Sequence, residues 1–200
     1  EEERRRGVTH AGDLGPEELR QLIATLRAII SEVAGTAVPD DPYQQLEQAI
    51  RAVFDSWDSR RAIAYRELNG IPHDLGTAVS VVSMVYGNMD SSSCSGVLFT
   101  RNPSTGEDAL FGEYLVNAQG EDVVAGTATP KALSEMADEM PAVYEELART
   151  AKDLERHYSD VQDVEFTVEQ ERLYILQTRS GKRSARAAIK TAVDLANEGL

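Results

Sequence analysis

The sequence predicts an α+β domain in which a mainly antiparallel sheet is flanked by helices. Apolar residues recur at helical spacing in the first third of the chain and again over residues 141–157, whereas the middle and the end alternate with period two and hold β-branched or aromatic residues. Turn signals such as Gly87-Asn88 separate the strand-like segments. Strands joined by short turns pair antiparallel, which sets the fold class.

The helices are predicted from caps and apolar stripes. The first, near Pro16–Ala34, has proline at its start and Gly35 at its end, as helices favour. Asp41 is expected to cap a second helix, whose buried face includes Phe54 and Trp57. Further helices are predicted near Arg60–Leu68, in a stretch opening at Thr129-Pro130, from Pro141 to about His157, and over Ser184–Asn197.

Five strands are predicted. Two of them form a hairpin near the end of the chain, where alternation is strongest. The polar side of this hairpin carries two carboxylates, an amide and a guanidinium, which makes it the most informative segment of the sequence. The strands are Thr77–Tyr86, Ser95–Thr100, Ala109–Val116, Val161–Val168 and Leu173–Thr178.

The loop length decides which residues of the hairpin face each other. A three-residue loop, Gln170-Glu171-Arg172, would pair Glu169 with Leu173. A two-residue loop would slip the register by one and scatter the polar residues over both faces, so the apolar pattern favours the longer loop. The predicted pairs are then Glu165 with Gln177 and Asp163 with Arg179, and the predicted buried face is Val164, Phe166, Val168, Tyr174 and Leu176.

This register gathers Asp163, Glu165, Thr167, Gln177 and Arg179 on one surface. Mg²⁺ takes one or two carboxylates together with phosphate oxygens and water, so the carboxylates suit a magnesium–polyphosphate site. The guanidinium can hold a terminal phosphoryl group bidentately. The alternative is a solvated hairpin face with a cross-strand Asp163–Arg179 salt bridge, and spacing alone leaves both interpretations open.

Two other segments are candidates for phosphate contacts. The small residues of Ser91–Gly96 would let backbone N–H groups approach phosphate oxygens, and Ser95 adds a hydroxyl, although such a loop can also be a simple flexible turn. Arg101 offers a second cation. Its alternative role is to pair with Glu107 or Glu113 and fix the turn.

The composition limits the classes of partner that the chain can bind. The net charge of −14 argues against nucleic acid or an anionic membrane surface as partner. No apolar run approaches the ~20 residues of a membrane span. The single cysteine, Cys94, excludes an internal disulfide and indicates a reducing compartment, so a cytoplasmic location is expected.

Four motifs together resemble one family. They are Asp163-x-Glu-Phe followed by Leu173-Tyr-x-Leu-Gln-Thr-Arg-x-Gly-Lys-Arg183, and the stretches Asn69–Ala78, Gly96–Glu107 and Gly112–Gly126. In this order they resemble the end of the nucleotide-binding domain of the pyruvate phosphate dikinases, which are related to the phosphoenolpyruvate synthases. The resemblance covers nearly the whole chain.

The resemblance implies the C-terminal part of an ATP-grasp domain that binds Mg²⁺ and ATP. It makes Arg179 the catalytic residue and assigns adenine contact to Met84, beside a position that is commonly glutamine in the family and is Val82 here. The implied phosphate contacts include Ser95 and Gly96. The implied nucleotide-binding set is Met84, Ser95, Gly96, Arg101, Asp163, Glu165, Gln177 and Arg179, with Asp163, Glu165 and Gln177 as metal ligands.

The implied reaction of the whole enzyme converts ATP, phosphate and pyruvate into AMP, pyrophosphate and phosphoenolpyruvate. The phosphoryl group passes through a histidine on a separate swivelling domain, and none of His10, His73 or His157 has that histidine's sequence context. The alternatives are a phosphoenolpyruvate synthase, with water as acceptor, and a noncatalytic folding or docking module. The full-length enzyme is expected to be a homo-oligomer, and this chain alone is expected to show no turnover.

The same resemblance suggests how the chain is divided. Residues 1–38 would be the helical end of a preceding subdomain, and 39–85 would complete the amino-terminal ATP-grasp lobe. Residues 86–182 would form the carboxy-terminal lobe with the Mg·ATP site. Residues 183–200 would be a lightly packed connector helix toward the phosphohistidine domain.

Overall fold

A computed structural model describes residues 14–125 and 129–200, with the side chains of residues 124 and 125 left out. It divides into two compact units, the first ending at Val82 and the second running from Ser83 to Leu200. His10 lies outside the described residues. Within the described part, no helix combines the length and the apolar character that crossing a membrane requires.

The described part of the first unit contains three helices, which we number α1 (Pro16–Ala34), α2 (Pro42–Ser56) and α3 (Arg60–Asn69). Their predicted start and stop signals are confirmed. The Asp41 carboxylate accepts a hydrogen bond from the backbone N–H of Tyr43 at 3.1 Å, and Gly35 ends α1 in the left-handed conformation.

The predicted burial of α2 is wrong. Phe54 is 49% exposed, and no residue of α1 or α2 is buried. The physical reason is that no other described segment of this unit covers the apolar stripes. Arg66 of α3 is buried: its guanidinium lies 4.0 Å from the centre of the Trp57 ring, and its Nε donates to Nδ1 of His73 at 3.0 Å.

The predicted strand Thr77–Tyr86 is also wrong. The segment joins no ladder in the part of the chain that the structure describes. A β-branched, alternating sequence forms a strand only where a partner strand accepts its hydrogen bonds, and none of the described strands does so.

The second unit is built on a five-stranded sheet in the order β3-β2-β1-β4-β5, in which every neighbouring pair is antiparallel. This confirms the predicted fold class. The strands are β1 (Cys94–Phe99), β2 (Phe111–Val116), β3 (Lys131–Ala132), β4 (Gln162–Glu169) and β5 (Arg172–Ser180), and the helices are α4 (Gly120–Ala125), α5 (Met136–Glu139), α6 (Pro141–Tyr158) and α7 (Ala185–Glu198).

One face of the sheet packs against α6. Leu147 and Ala151 of this helix lie in the same core cluster as Leu98 of β1 and Val164 and Phe166 of β4. Because side chains alternate along a strand, the residues between them, such as Glu165 and Thr167, point to the opposite face. That second face carries the candidate site.

The hairpin of β4 and β5 has a two-residue loop, so the predicted three-residue loop is wrong. Gln170 and Glu171 have φ values of 51° and 65°, which fits the tight turn that matches the twist of paired strands. Glu169 therefore pairs with Arg172, and Phe166 pairs with Ile175. An irregularity follows between Glu165 and Phe166, where Leu176 is an extra residue on β5.

This β-bulge restores the predicted polar pairs, Glu165 with Gln177 and Asp163 with Arg179. It also changes the apolar face. Val164, Phe166 and Val168 are buried as predicted, but Leu176 is 54% exposed, and Tyr174 is also wrongly predicted. Leu173 and Ile175 pack against the core instead.

Helix α7 is held more firmly than a lightly packed connector. Ser184 caps it by accepting from the N–H of Ala187, and donates its own hydroxyl to the carbonyl of Ser104 at 2.8 Å. The segment between β1 and β2 approaches α7 closely because residue 106 is glycine. A Cβ on Gly106 would lie 2.9 Å from the carbonyl oxygen of Ala187. Within α7, the side chains of Thr191 and Leu195 are buried.

Candidate functional site

A cavity of about 810 Å³ opens on the sheet face opposite α6. Its polar residues come from the β4–β5 hairpin and from the segment that follows β2, and its apolar residues come from the segment before β1, from β1, from α4 and from the hairpin. The polar residues are Gln119, Glu121, Glu165, Thr167 and Arg179, and the apolar ones are Met84, Val97, Val123, Phe166 and Leu176. Such a mixture suits an organic ligand that carries charge at one end.

Arg179 and Glu165 line the cavity, and Asp163 adjoins them on the hairpin without being part of the lining. Nε of Arg179 donates to Oδ2 of Asp163 at 2.8 Å, and its Nη2 lies 3.7 Å from Oε1 of Glu165. The hydrogen bond with Asp163, followed by the charge of Asp163, raises the pKa of Arg179 above its ordinary value. The side chains are 58% exposed for Arg179 but only 13% for Asp163, so the guanidinium remains open to an incoming anion.

The donor set fits a magnesium ion that is shared with phosphate oxygens. Asp163 and Glu165 are two residues apart on one strand and therefore share a face, and Gln177 is the partner of Glu165 on the next strand. In the described residues no group of three or more His, Cys, Asp or Glu side chains is arranged to hold a metal alone. Mg²⁺ needs no such group when waters and phosphates complete its coordination.

Ser95 and Gly96 lie at the start of β1 rather than in a loop. Ser95 is 1% exposed, and its Oγ is 3.1 Å from Oγ1 of Thr167 on β4. Its hydroxyl is therefore used within the sheet. Gly96 lines the cavity, and a Cβ there would come within 2.5 Å of Cζ of Phe166 and 2.7 Å of the carbonyl oxygen of Glu113.

Arg101 lies outside the cavity lining. It is fully buried, and it donates to Oε2 of Glu155 from Nε at 3.0 Å and to Oε1 from Nη2 at 2.9 Å. It also donates to Glu198 of α7 at 2.9 Å. The predicted alternative named the wrong carboxylates, because Glu155 and Glu198, not Glu107 or Glu113, neutralise this cation. The structure thus places Arg101 in the packing of α6 and α7.

Cys94 is fully buried in the core. Burial raises the pKa of its thiol to about 12. The thiol therefore stays protonated at neutral pH and is a poor nucleophile or metal ligand.

Sequence reasoning missed several residues of the cavity wall. Leu176 was assigned to the core because the bulge was not foreseen. Gln119 and Glu121 lie in the motif Gly112–Gly126, and their signal was the short polar run between β2 and α4. Nothing in that run distinguishes a wall residue from a solvated one until the loop is placed beside the sheet.

A family model described as "Pyruvate phosphate dikinase, AMP/ATP-binding domain" matches residues 30–144 and 134–199. The chain is 54% identical over 196 residues to pyruvate, phosphate dikinase 1, chloroplastic, from Arabidopsis thaliana, covering 98% of the chain and 20% of that protein. It is 50% identical over 196 residues to pyruvate, phosphate dikinase from Clostridium symbiosum, with 98% and 22% covered. The chain spans about a fifth of the length of these relatives.

Proposed function

The chain belongs to the family of the pyruvate phosphate dikinase AMP/ATP-binding domain, and from this premise we propose that its cavity binds Mg·ATP for phosphoryl transfer to a histidine on another domain. One observation carries the proposal. The hairpin register brings Asp163, Glu165, Gln177 and Arg179 onto one surface, at the edge of a cavity large enough for an organic ligand.

The two walls suggest how the nucleotide lies. Met84, Val97 and Leu176 offer apolar surface for the adenine ring. The triphosphate would extend toward Glu165 and Arg179, where a metal ion and a guanidinium can neutralise its charge. Because the chain carries a net charge of −14, this local arrangement of cations is required for a polyanion to bind.

Phosphoryl transfer depends mainly on positioning and on neutralising charge. A bound Mg²⁺ would supply charge neutralisation at the phosphate oxygens, held by Asp163, Glu165 and Gln177. Arg179, the proposed catalytic residue, would exchange its contact with Asp163 for a bidentate contact with the transferred phosphoryl group. Gly96 and Thr167 form the floor that fixes the distance between sheet and phosphates.

For the whole protein we propose the dikinase reaction, in which ATP, phosphate and pyruvate give AMP, pyrophosphate and phosphoenolpyruvate. The names of the relatives favour this reaction over that of a phosphoenolpyruvate synthase, in which water is the acceptor. The phosphohistidine domain would lie in the rest of the protein. The homo-oligomeric state and the cytoplasmic location stay predictions.

Calorimetric titration of the full-length protein with Mg·ATP tests the proposal. Arg179→Met should weaken binding by about 10- to 150-fold, because a lost charge-assisted hydrogen bond costs about 1.5–3 kcal/mol. Arg149→Met, at an exposed position of α6, is the matched control and should bind as the unmodified protein does. Equal affinities for the two variants would contradict the proposal.

A second titration separates the metal from the nucleotide. If Glu165 holds Mg²⁺, Glu165→Ala should weaken the binding of Mg·ATP but leave the weak binding of ATP in excess EDTA unchanged. A loss of the same size with and without the metal would instead mean that Glu165 contacts the nucleotide directly or shapes the cavity.

A further inference from the structure

Asp90 organises a tight turn directly before β1. Its Oδ1 accepts three hydrogen bonds: from the backbone N–H of Ser92 at 2.9 Å, from the Ser92 hydroxyl at 2.7 Å, and from the Ser93 hydroxyl at 2.9 Å. The bonds from Ser92, and then from Ser93, lower the pKa of Asp90 below its ordinary value. The acceptor is therefore ionised at neutral pH, where hydrogen bonds to it are strongest.

The two serines that Asp90 holds reach the loop of the β4–β5 hairpin. The backbone N–H of Gln170 donates to the Ser93 hydroxyl at 3.0 Å, and the N–H of Glu171 donates to the carbonyl of Ser92 at 3.2 Å. Ser93 is fully buried, so its hydroxyl both donates to Asp90 and accepts from the hairpin without competition from water.

The same turn also holds the segment after β2. The N–H of Asn117 donates to the carbonyl of Ser93 at 2.8 Å, and the N–H of Ala118 donates to the carbonyl of Gly87 at 3.0 Å. Gln119 follows at once and lines the cavity. Residues 87–93 lead directly into β1, which begins at the next residue. They also form hydrogen bonds with the hairpin loop and with the segment after β2.

Except for Met84, the residues that line the cavity belong to these three segments. Gly96 belongs to β1, Gln119 and Glu121 to the segment after β2, and Glu165 and Arg179 to the hairpin. Asp90 itself is not among the lining residues. Any effect of Asp90 on the cavity must therefore pass through the two serines that it orients.

We infer that Asp90 is a positioning residue for nucleotide binding: through Ser92 and Ser93 it fixes β1, the segment after β2 and the hairpin in one arrangement around the cavity. This inference rests on the proposed function. Without the carboxylate, the buried Ser93 hydroxyl loses its acceptor and must turn toward another partner. The bond to Gln170 then weakens, and the hairpin is free to shift against Gly96.

Steady-state kinetics of the full-length protein provide the test. Asp90→Ala should raise the KM for ATP by about tenfold, the effect of losing a hydrogen bond to a charged acceptor, while the KM for pyruvate stays the same. Asp90→Asn keeps one acceptor oxygen and should recover most of the ATP affinity. Asn88→Ala is the matched control, since Asn88 is exposed in the same turn and none of the described residues bonds its side chain.

Hydrogen exchange of the unliganded protein gives an independent reading. The amides of Gln170 and Asn117 should exchange faster in Asp90→Ala than in Asn88→Ala, whereas amides in the middle of α6 should not change. If Asp90→Ala does not fold, Ser92→Ala, which removes one of the three donors, should raise the KM for ATP at least twofold.

An ATP KM for Asp90→Ala that equals that of Asn88→Ala would overturn the inference. So would a parallel loss of ATP and pyruvate kinetics, which marks a general folding defect. Glu165→Ala separates this failure from failure of the proposed function. If Glu165→Ala weakens ATP binding while Asp90→Ala does not, the positioning role alone is wrong; if neither variant has an effect, the proposed function has failed as well.

Discussion

Glu165 and Gln177 are partners across the β4–β5 hairpin because Leu176 is an extra residue in β5. Counting outward from the two-residue turn, Phe166 faces Ile175. In a regular ladder Glu165 would then face Leu176, and Asp163 would face Thr178. The bulge shifts β5 by one residue and returns the amide and the guanidinium to the face of the two carboxylates.

Glu165 and Arg179 both line the cavity, so under the proposed function the substitution of Glu165 should affect only the nucleotide step. In the full-length enzyme, Glu165→Ala should lower the rate of histidine phosphorylation by ATP by about 100-fold or more, as loss of a charged contact of about 3 kcal/mol implies. The exchange of pyruvate with phosphoenolpyruvate should keep its rate. Isotope-exchange assays of each half-reaction measure the two effects separately.

The control for this substitution is Glu145→Ala, at an exposed position of α6 that removes the same charge far from the cavity wall. It should leave both half-reactions unchanged. Equal losses in both half-reactions for Glu165→Ala would indicate a structural role for this carboxylate.

Gly96 and Gly120 both border the cavity, but they should respond to alanine in opposite ways. A Cβ on Gly96 would lie 2.5 Å from Cζ of Phe166 and 2.7 Å from the carbonyl oxygen of Glu113, so Gly96→Ala should destabilise the second unit by about 1–3 kcal/mol through overpacking. A Cβ on Gly120 meets nothing within 4 Å, and Gly120→Ala should be neutral or stabilise α4 slightly.

Urea unfolding followed by circular dichroism measures this difference. Tryptophan fluorescence would not serve, because the single tryptophan, Trp57, lies in the first unit. If Gly96→Ala is as stable as Gly120→Ala, Phe166 can move away from β1, and the close packing of these strands is not required for folding.

The helices of this chain were predictable because their ends carry local chemistry. Asp41 and Ser184 accept hydrogen bonds from the first turns of α2 and α7, and Gly35 and Gly70 end α1 and α3 in the left-handed conformation. Each signal needs only a few neighbouring residues. The local sequence is therefore enough to place these ends.

The hairpin shows where such reasoning fails. Its polar pairs were predicted correctly from an incorrect loop, because a three-residue loop and a two-residue loop with a bulge move β5 by the same amount. The alternation of Phe166 and Val168 fixes β4, but Leu176 can belong to either face. Only the packing of Leu173 and Ile175 against the core decides between the three-residue loop and the two-residue loop with a bulge.

Arg101 was unpredictable for a different reason. Its partners, Glu155 and Glu198, lie 54 and 97 residues away along the chain. A sequence offers many carboxylates at such distances, and charge alone does not choose among them. The prediction of a strand at Thr77–Tyr86 failed for a similar reason. Its pattern is that of a strand, but a strand forms only where a distant segment pairs with it.

The pair of Arg101 and Glu155 gives a stability prediction. Arg101→Met should destabilise the second unit by about 3–5 kcal/mol, because it removes the buried cation that bonds both oxygens of the buried Glu155 carboxylate and leaves Lys152 as its one charged partner among the described residues. The double variant Arg101→Met/Glu155→Leu should recover most of this loss, since replacing both partners removes the unpaired charge. Urea unfolding by circular dichroism compares them, with Arg149→Met as the exposed control on α6. A double variant less stable than Arg101→Met would show that the remaining contacts of Glu155 dominate.

The same carboxylate predicts how stability depends on pH. Burial of Glu155 opposes its ionisation, but hydrogen bonds from Arg101, Thr100 and Lys152 outweigh that effect, and the pKa of Glu155 is lowered. A carboxyl whose pKa is lower in the folded state adds stability above its unfolded pKa, about 4.3, and loses it as the pH falls through the folded value. Asp108 contributes with the same sign: burial opposes its ionisation, but its contacts with Lys152 lower its pKa.

Glu155→Gln should therefore be less stable than the unmodified chain at pH 7, and the difference in the free energy of unfolding should shrink as the pH falls below about 4. The reason is that acid protonates Glu155 and removes the charge that the glutamine variant already lacks. Urea unfolding at pH 7, 5, 4 and 3 measures the difference, with Glu145→Gln at an exposed position of the same helix as control. A difference that stays constant over this range would mean that the hydrogen bonds of Glu155, rather than its charge, stabilise the contact between the segment after β1, α6 and α7.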